Sequence, residues 1–352
     1  MKRIIFFFLC LIRFQANASE PVEVGLYNTE VLSVGFLTNF PHRSATKPAD
    51  FTPIADVVKK IGSTPMIINS FFPWTLQDGS YQDFPVEFCE YVEQFDAIPL
   101  ITWPPGQADN ANQVEDRNRT RPQSDFNCVS IASGKHDAYI KRWAQGAKEY
   151  GKVVYVRYMH EFIAAPYPTS FMLDSTGNSP VNYIKAFRRI TDIFRQAGAT
   201  NVINIWCVGE SNGGPGMAAF FPGDEYVDWL GIDAYNRPPN YTAPFENIFK
   251  GPYNRMVAMS KRPIMICEVA AVEAPEDENA KVNWLNNMMY KGIPEKMPRI
   301  RAVVFFNSPG NPTKGYTYKF DSSPQSFKAI QAIFADPKFR ATLPAKRLPD
   351  YL

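Results

Sequence analysis

The chain has 352 residues, 45% hydrophobic and 20% charged, the composition of a folded globular protein and not of a disordered or fibrous one. Its 37 Lys and Arg against 35 Asp and Glu give a formal charge of +2, which argues against a nucleic-acid or anionic-membrane partner. Aromatic residues reach 14%; most such rings fill cores, and the remainder can stack on flat ligands such as sugars.

The N-terminus reads MKRIIFFFLCLIRFQANA. Lys2 and Arg3 precede a short apolar run, Ile4 to Ile12, and Ala16-Asn17-Ala18 offers a small-x-small cleavage site. This is the pattern of a secretory signal peptide over residues 1–18, too short to span a bilayer. Its removal takes away three cations and no acid, leaving a mature domain, 19–352, near neutrality. No later apolar stretch is long enough to cross a membrane. A secreted or periplasmic location is expected, with no membrane insertion after cleavage and no nucleic-acid partner.

Strand-like apolar runs then recur: VLSVGFL (31–37), PMIINSFF (65–72), IPLITW (98–103), VVYVRYM (153–159), NVINIWCV (201–208), VDWLGIDAY (227–235), PIMICEV (263–269) and RAVVFFN (301–307). Several lack polar alternation, as parallel strands covered on both faces do. Helical patterns lie between them, among them 132–152, 179–199 and 277–291. Ser179-Pro180 starts the second and Gly198 stops it. Eight strands alternating with helices predict an α/β fold, a single-domain (β/α)8 TIM barrel; a doubly wound sheet is the alternative, but no Gly-rich turn follows the first strand. Residues 104–132 read as a long polar loop over the active-site face.

Four cysteines follow the signal segment. Cys89 and Cys128 flank the loop-rich region, so a disulfide between them is an expectation in an exported protein. Cys207 and Cys267 sit in strand patterns and read as small buried hydrophobes. No Cys/His spacing points to a metal, and His160 is the only one of three histidines at a strand end; no metal or cofactor is expected.

The fourth run ends on Arg157, His160 and Glu161, and the seventh on Glu268. Chemistry in such a barrel sits at the carboxyl ends of the strands. A carboxylate closing an apolar strand is costly unless paired or used. Either Glu alone could hold a structural ion pair with an Arg; two from opposite sides of the barrel mouth suit glycoside hydrolysis, one protonating the leaving oxygen and the other attacking the anomeric carbon.

The blocks RWAQGAKEYGKVVYVRYMHEF, YIKAFRRITDIFRQAGATNVINIW, FFPGDEYVDWLGIDAYN, KRPIMICEV and AVVFFN resemble, in order and spacing, glycoside hydrolase family 26, a β-mannanase-like family of retaining barrel glycosidases. The resemblance runs from about residue 30 to 330. It implies that Glu161 is the acid/base and Glu268 the nucleophile. It implies that His160 contacts the −1 sugar, that Arg157 lies beneath the carboxylates and keeps Glu268 ionised, and that Tyr235 hydrogen-bonds the nucleophile. Trp103 and Trp206 would line the cleft, with Tyr318 where the family has a Trp. Asp228 and Asp233 are expected in structural hydrogen bonds. The chain departs from the pattern in HEFIAAPYP, where Ile163 stands at an Asn position, in ITWPP, where Pro104 replaces an acid, and in WCVG for WSPN.

The resulting expectation is a secreted, monomeric endo-β-glycanase using no cofactor and acting on a polysaccharide, β-1,4-mannan first. The alternatives are mixed-linkage β-glucan, β-1,3-xylan, an exopolysaccharide, or a barrel that binds polysaccharide without cutting it.

Overall fold

A computed structural model describes residues 32–39, 49–76, 78–106, 124–163, 167–209, 216–239, 243–310, 315–341 and 343. Residues 1–18, read above as a signal peptide, and residues 107–123 of the polar loop lie outside the described residues.

All eight expected strands are present: β1 (Ser33–Leu37), β2 (Ile67–Phe71), β3 (Ile98–Trp103), β4 (Val154–Tyr158), β5 (Val202–Gly209), β6 (Trp229–Asn236), β7 (Ile264–Ala271) and β8 (Ile300–Phe306). They pair in chain order, all parallel, and β1 closes on β8. Helices α1 (Thr52–Ile61), α2 (Val86–Glu93), α3 (Cys128–Ala132), α4 (Asp137–Tyr150), α5 (Pro180–Ala197), α6 (Phe245–Met259), α7 (Ala280–Asn287) and α8 (Pro324–Ala335) lie between or after the strands. The chain is a (β/α)8 barrel.

The local signals act as read. Ser179 caps α5, its side chain accepting the Asn182 N–H, and Gly198 ends the helix at φ 77°, where a residue without Cβ meets no penalty. The third helical pattern is cut at Asn287 and continues as a π-helical stretch, Met288–Lys296.

Strand parity separates two apolar layers. Leu100, Tyr155, Ile205, Trp229, Met265 and Val304 point into the barrel. Ile101, Trp103, Val156, Trp206, Ile266 and Phe305 point outward against the helices. Parity breaks between β6 and β7: Ile232 pairs with Ile266, but Asp233 pairs with Glu268, so Cys267 is an extra residue. Cys267, two residues on from the inward Met265, keeps its thiol in the inner layer, and the bulge brings the Glu268 carboxylate inward to Arg157 as well, where strict alternation would have turned it outward.

All four described cysteines are free and buried, which corrects the expected Cys89–Cys128 bridge. Cys89 is held on α2, while Cys128 opens α3 with its N–H on Asn178 Oδ1, 2.8 Å away. Cys207 and Cys267 meet inside the barrel, over Gly231. A Cβ there would lie 2.8 Å from each sulfur, so the glycine makes the room that the two thiols fill.

Candidate active site

Arg157 organises the carboxyl end of the barrel. It points inward from β4 and is fully buried. Its Nη1 donates to Asp233 Oδ2 on β6 at 2.6 Å, its Nη2 donates to Glu268 Oε1 on β7, and Nε and Nη2 reach Thr102 Oγ1 on β3 at 3.1 and 2.8 Å. Thr102 in turn donates to Asn69 Oδ1 on β2 at 3.0 Å. Burial works against the charge of Arg157, but Asp233 and Glu268 outweigh it and raise the guanidinium well above its ordinary value. Four strands are thus tied through one cation, a geometry suited to the planar fork of Arg.

Glu268 is bound from its other side by Tyr235 of β6, whose hydroxyl donates to Oε2. Tyr235 also carries the Arg237 guanidinium over its ring, 5.3 Å from the centroid. Burial, then Glu268 and Glu161, push the Tyr235 hydroxyl well up, so it remains a donor.

Glu161 comes to the same place by a different route. Met159 and Glu161 both have φ near 50°, a left-handed backbone that non-glycine residues adopt at a cost. The two kinks turn the chain over the end of β5, where the Glu161 N–H donates to the Cys207 carbonyl at 3.1 Å. Its carboxylate lies over Gly209: a Cβ there would stand 3.1 Å from Oε1. Both carboxylates act electrostatically on Tyr167 as well as on Tyr235, so β4 and β7 bring Glu161 and Glu268 to one mouth.

His160, between the two kinks, is fully buried against Tyr167, with ring centroids 4.4 Å apart, and Phe71, 5.9 Å away. Burial and the nearby Arg157 hold it well below its usual value, hence neutral. Neither ring nitrogen has a hydrogen-bond partner among the described residues. Tyr318 packs against Tyr235 at 5.1 Å and against Phe306 at 5.8 Å. Phe306 faces this group while Phe305 turns outward to Phe320 and Phe334, as neighbours on a strand must.

Two expected cleft residues are elsewhere. Trp103 is fully buried on the outer face of β3, stacked on Trp143 at 4.4 Å, with Nε1 donating to Tyr139. Trp206 is fully buried on the outer face of β5 against Phe162 and Phe221. Each is one residue out of step with an inward neighbour, Thr102 or Cys207, so neither can meet a sugar in the barrel mouth. Asp228 and Asp233 do hold hydrogen bonds, to the Asn204 N–H and to Arg157. Sequence reading missed Phe71, Tyr167, Arg237 and Gly209. Phe71 was within reach, as the last residue of β2; Tyr167 lies six residues beyond Glu161 in a loop, with no periodic signal.

Among the described residues, two clusters each bring three possible metal ligands within 4.8 Å of one another: Cys207, Asp233 and Cys267, and His160, Asp233 and Glu268. In both, Asp233 is already occupied by Arg157, so a cation would have to displace or face a buried guanidinium.

Residues 134–286 match the sequence pattern of Glycosyl hydrolase family 26. Endoglucanase H of Acetivibrio thermocellus is 31% identical over 272 residues, 75% of this chain. The chain spans about a quarter of that relative, 27% of its length. Among solved structures, an endo-β-1,4-mannanase double mutant of Cellulomonas fimi aligns over 92% of this chain and 78% of its own at 16% identity and a TM-score of 0.62. A family 26 β-mannanase from Bacteroides ovatus aligns over 93% and 96% at 15% identity and a TM-score of 0.58. GH26C of a Muricauda species aligns over 89% of both chains at 13% identity and a TM-score of 0.59. At these identities the structural likeness is one of fold.

Proposed function

The chain belongs to glycosyl hydrolase family 26, and from that premise we propose that it is a retaining β-glycanase that cuts a β-linked polysaccharide by double displacement. Glu268 attacks the anomeric carbon of the −1 sugar while Glu161 donates a proton to the departing oxygen. A covalent glycosyl-enzyme forms, and Glu161 then takes a proton from the water that releases the product. Arg157 and Tyr235 hold the Glu268 oxygens in place; His160, neutral and without a hydrogen-bond partner among the described residues, is a candidate contact for a sugar hydroxyl. Phe306 and Tyr318 offer apolar surface beside Tyr235. The observation that carries this reading is the convergence of Glu161 and Glu268 at one barrel mouth, with Glu268 gripped by Arg157 and Tyr235. The signal-like N-terminus supports action outside the cytoplasm.

For the sugar, β-1,4-mannan follows from the family resemblance. β-Glucan is a second reading favoured by one observation: the relative at 31% identity is an endoglucanase. The changed motifs around Ile163, Pro104 and Gly209 fit a shift in sugar contacts.

Reducing-end release should be measured on β-mannan, galactomannan, mixed-linkage β-glucan, β-1,3-xylan and β-1,3-glucan, with Glu268→Ala in parallel. Release from one polymer that the variant loses, with a product of retained anomeric configuration by NMR, is the expected result. A folded protein that cuts none, and binds one equally well as Glu268→Ala, would be a binding barrel. An inverted product would remove the double displacement.

A further inference from the structure

Lys281 is the second residue of α7 and is 4% exposed. It is doubly misplaced: burial penalises its charge, and the start of a helix carries partial positive charge that repels a cation. What offsets this is a set of acceptors from the segments that follow β7 and β8. Nζ donates to the Lys319 carbonyl at 2.9 Å and to Ser322 Oγ at 2.7 Å, and lies 3.9 Å from Glu273 Oε1. Glu273, just past β7, accepts from Ser322 Oγ at 2.5 Å and Ser326 Oγ at 2.8 Å. The tied segment is the one that carries Tyr318 to its place beside Tyr235 and Phe306. On its near side, Tyr318 N–H reaches the Ser308 carbonyl and Phe320 N–H reaches Asn307 Oδ1, both at 3.0 Å. Lys281 supplies the tie on the far side.

We propose that Lys281 is a positioning residue for substrate binding: it fixes the segment 318–322 from α7 and so holds Tyr318 against Tyr235 at the mouth of the barrel. The proposal rests on the glycanase reading, in which Tyr318 meets the sugar.

The tie has a pH dependence. Burial pulls Lys281 down to about 8, against the opposing pull of Glu273 and Asp321, and Asp321 is itself paired with Lys60 at 2.8 Å. Above pH 8 the folded protein loses this charge and the amine becomes a weaker donor. The unfolded chain keeps its proton up to the ordinary value of 10.5. Between the two, the unfolded state binds more protons, so this group's contribution to stability rises with pH. Weaker substrate binding in that window would therefore not come from unfolding through Lys281.

The test measures kcat, KM and melting temperature from pH 6 to 9.5 for the wild type, Lys281→Met, Lys281→Arg, Tyr318→Ala and the Met/Ala double variant, on the polysaccharide that the wild type cleaves. Lys281→Met should raise KM about threefold to tenfold at pH 7, the scale of a displaced aromatic contact. Its kcat should hold, its melting temperature should not fall, and adding Tyr318→Ala should change nothing further. Wild-type KM should climb toward that of Lys281→Met above pH 8, and Lys281→Arg, which keeps its charge, should lack the step. A wild-type KM and pH profile in Lys281→Met overturns the proposal. So does a parallel loss of kcat, KM and melting temperature, and so does a Lys281→Arg variant that keeps the alkaline step. If the wild type cleaves nothing, the glycanase reading fails separately, and the same series is read as polysaccharide dissociation constants, with the same outcomes.

Discussion

The carboxylate of Glu161 rests on the α-carbon of Gly209: a side-chain carbon at that glycine would stand 3.1 Å from Oε1, 3.2 Å from Cγ and 3.3 Å from Cδ. Such contacts are tight enough that Glu161 must move for any larger residue to fit. Gly209→Ala should therefore lower kcat by about threefold to tenfold, since a full ångström of misplacement costs on the order of 10²-fold. Steady-state kinetics beside a melting curve checks this. Unchanged kcat in a folded variant would mean that the position of Glu161 over Gly209 has no bearing on catalysis.

Arg157 neutralises two carboxylates at once, so its loss leaves Asp233 and Glu268 facing each other in the interior. Arg157→Ala should cost about 3–5 kcal/mol of stability, the scale for breaking a buried charge pair, and most of the activity. Arg157→Lys should recover only part of either, because a point charge cannot reach both partners and Thr102 together. Denaturant unfolding and kcat on the three proteins decide it.

Trp103 and Tyr318 should separate cleanly. Trp103→Ala opens a hole between β3 and the helices and should cost about 3–5 kcal/mol in unfolding free energy, with KM of the surviving fold little changed. Tyr318→Ala should leave stability within about 1 kcal/mol, as a part-exposed residue does, and raise KM. A higher KM in Trp103→Ala with stability intact would return that residue to the cleft.

His160 is held neutral by burial and by Arg157, whereas in the unfolded chain it takes up a proton near 6.5. Below that pH the unfolded state binds the extra proton, so stability falls as pH falls, by about 1.4 kcal/mol per unit for this one group. Unfolding free energies from pH 7 to 5 should show this slope in the wild type and a shallower one in His160→Gln. Equal slopes would mean that the imidazole titrates in the folded state.

The sequence by itself determined the barrel. Eight apolar runs separated by helical patterns leave few other ways to bury both faces of each strand, and each run lies within two residues of its strand at every boundary. It also marked Arg157, His160, Glu161 and Glu268, because ionisable groups that end apolar strands are costly unless they meet one another or a ligand, while Tyr235 came from the family resemblance alone. Only the tertiary structure decided which way those residues face. Side-chain direction alternates along a strand, so one inserted residue reverses it. The bulge at Cys267 brings Glu268 inward, and ordinary parity sends Trp103 and Trp206 outward, one step from Thr102 and Cys207. Register between strands is set by the closed ladder, which no single run contains. For the same reason Tyr167 and Gly209 became visible only once β5 and the chain beyond β4 stood side by side, and Cys89 and Cys128 proved to be held apart on two different helices.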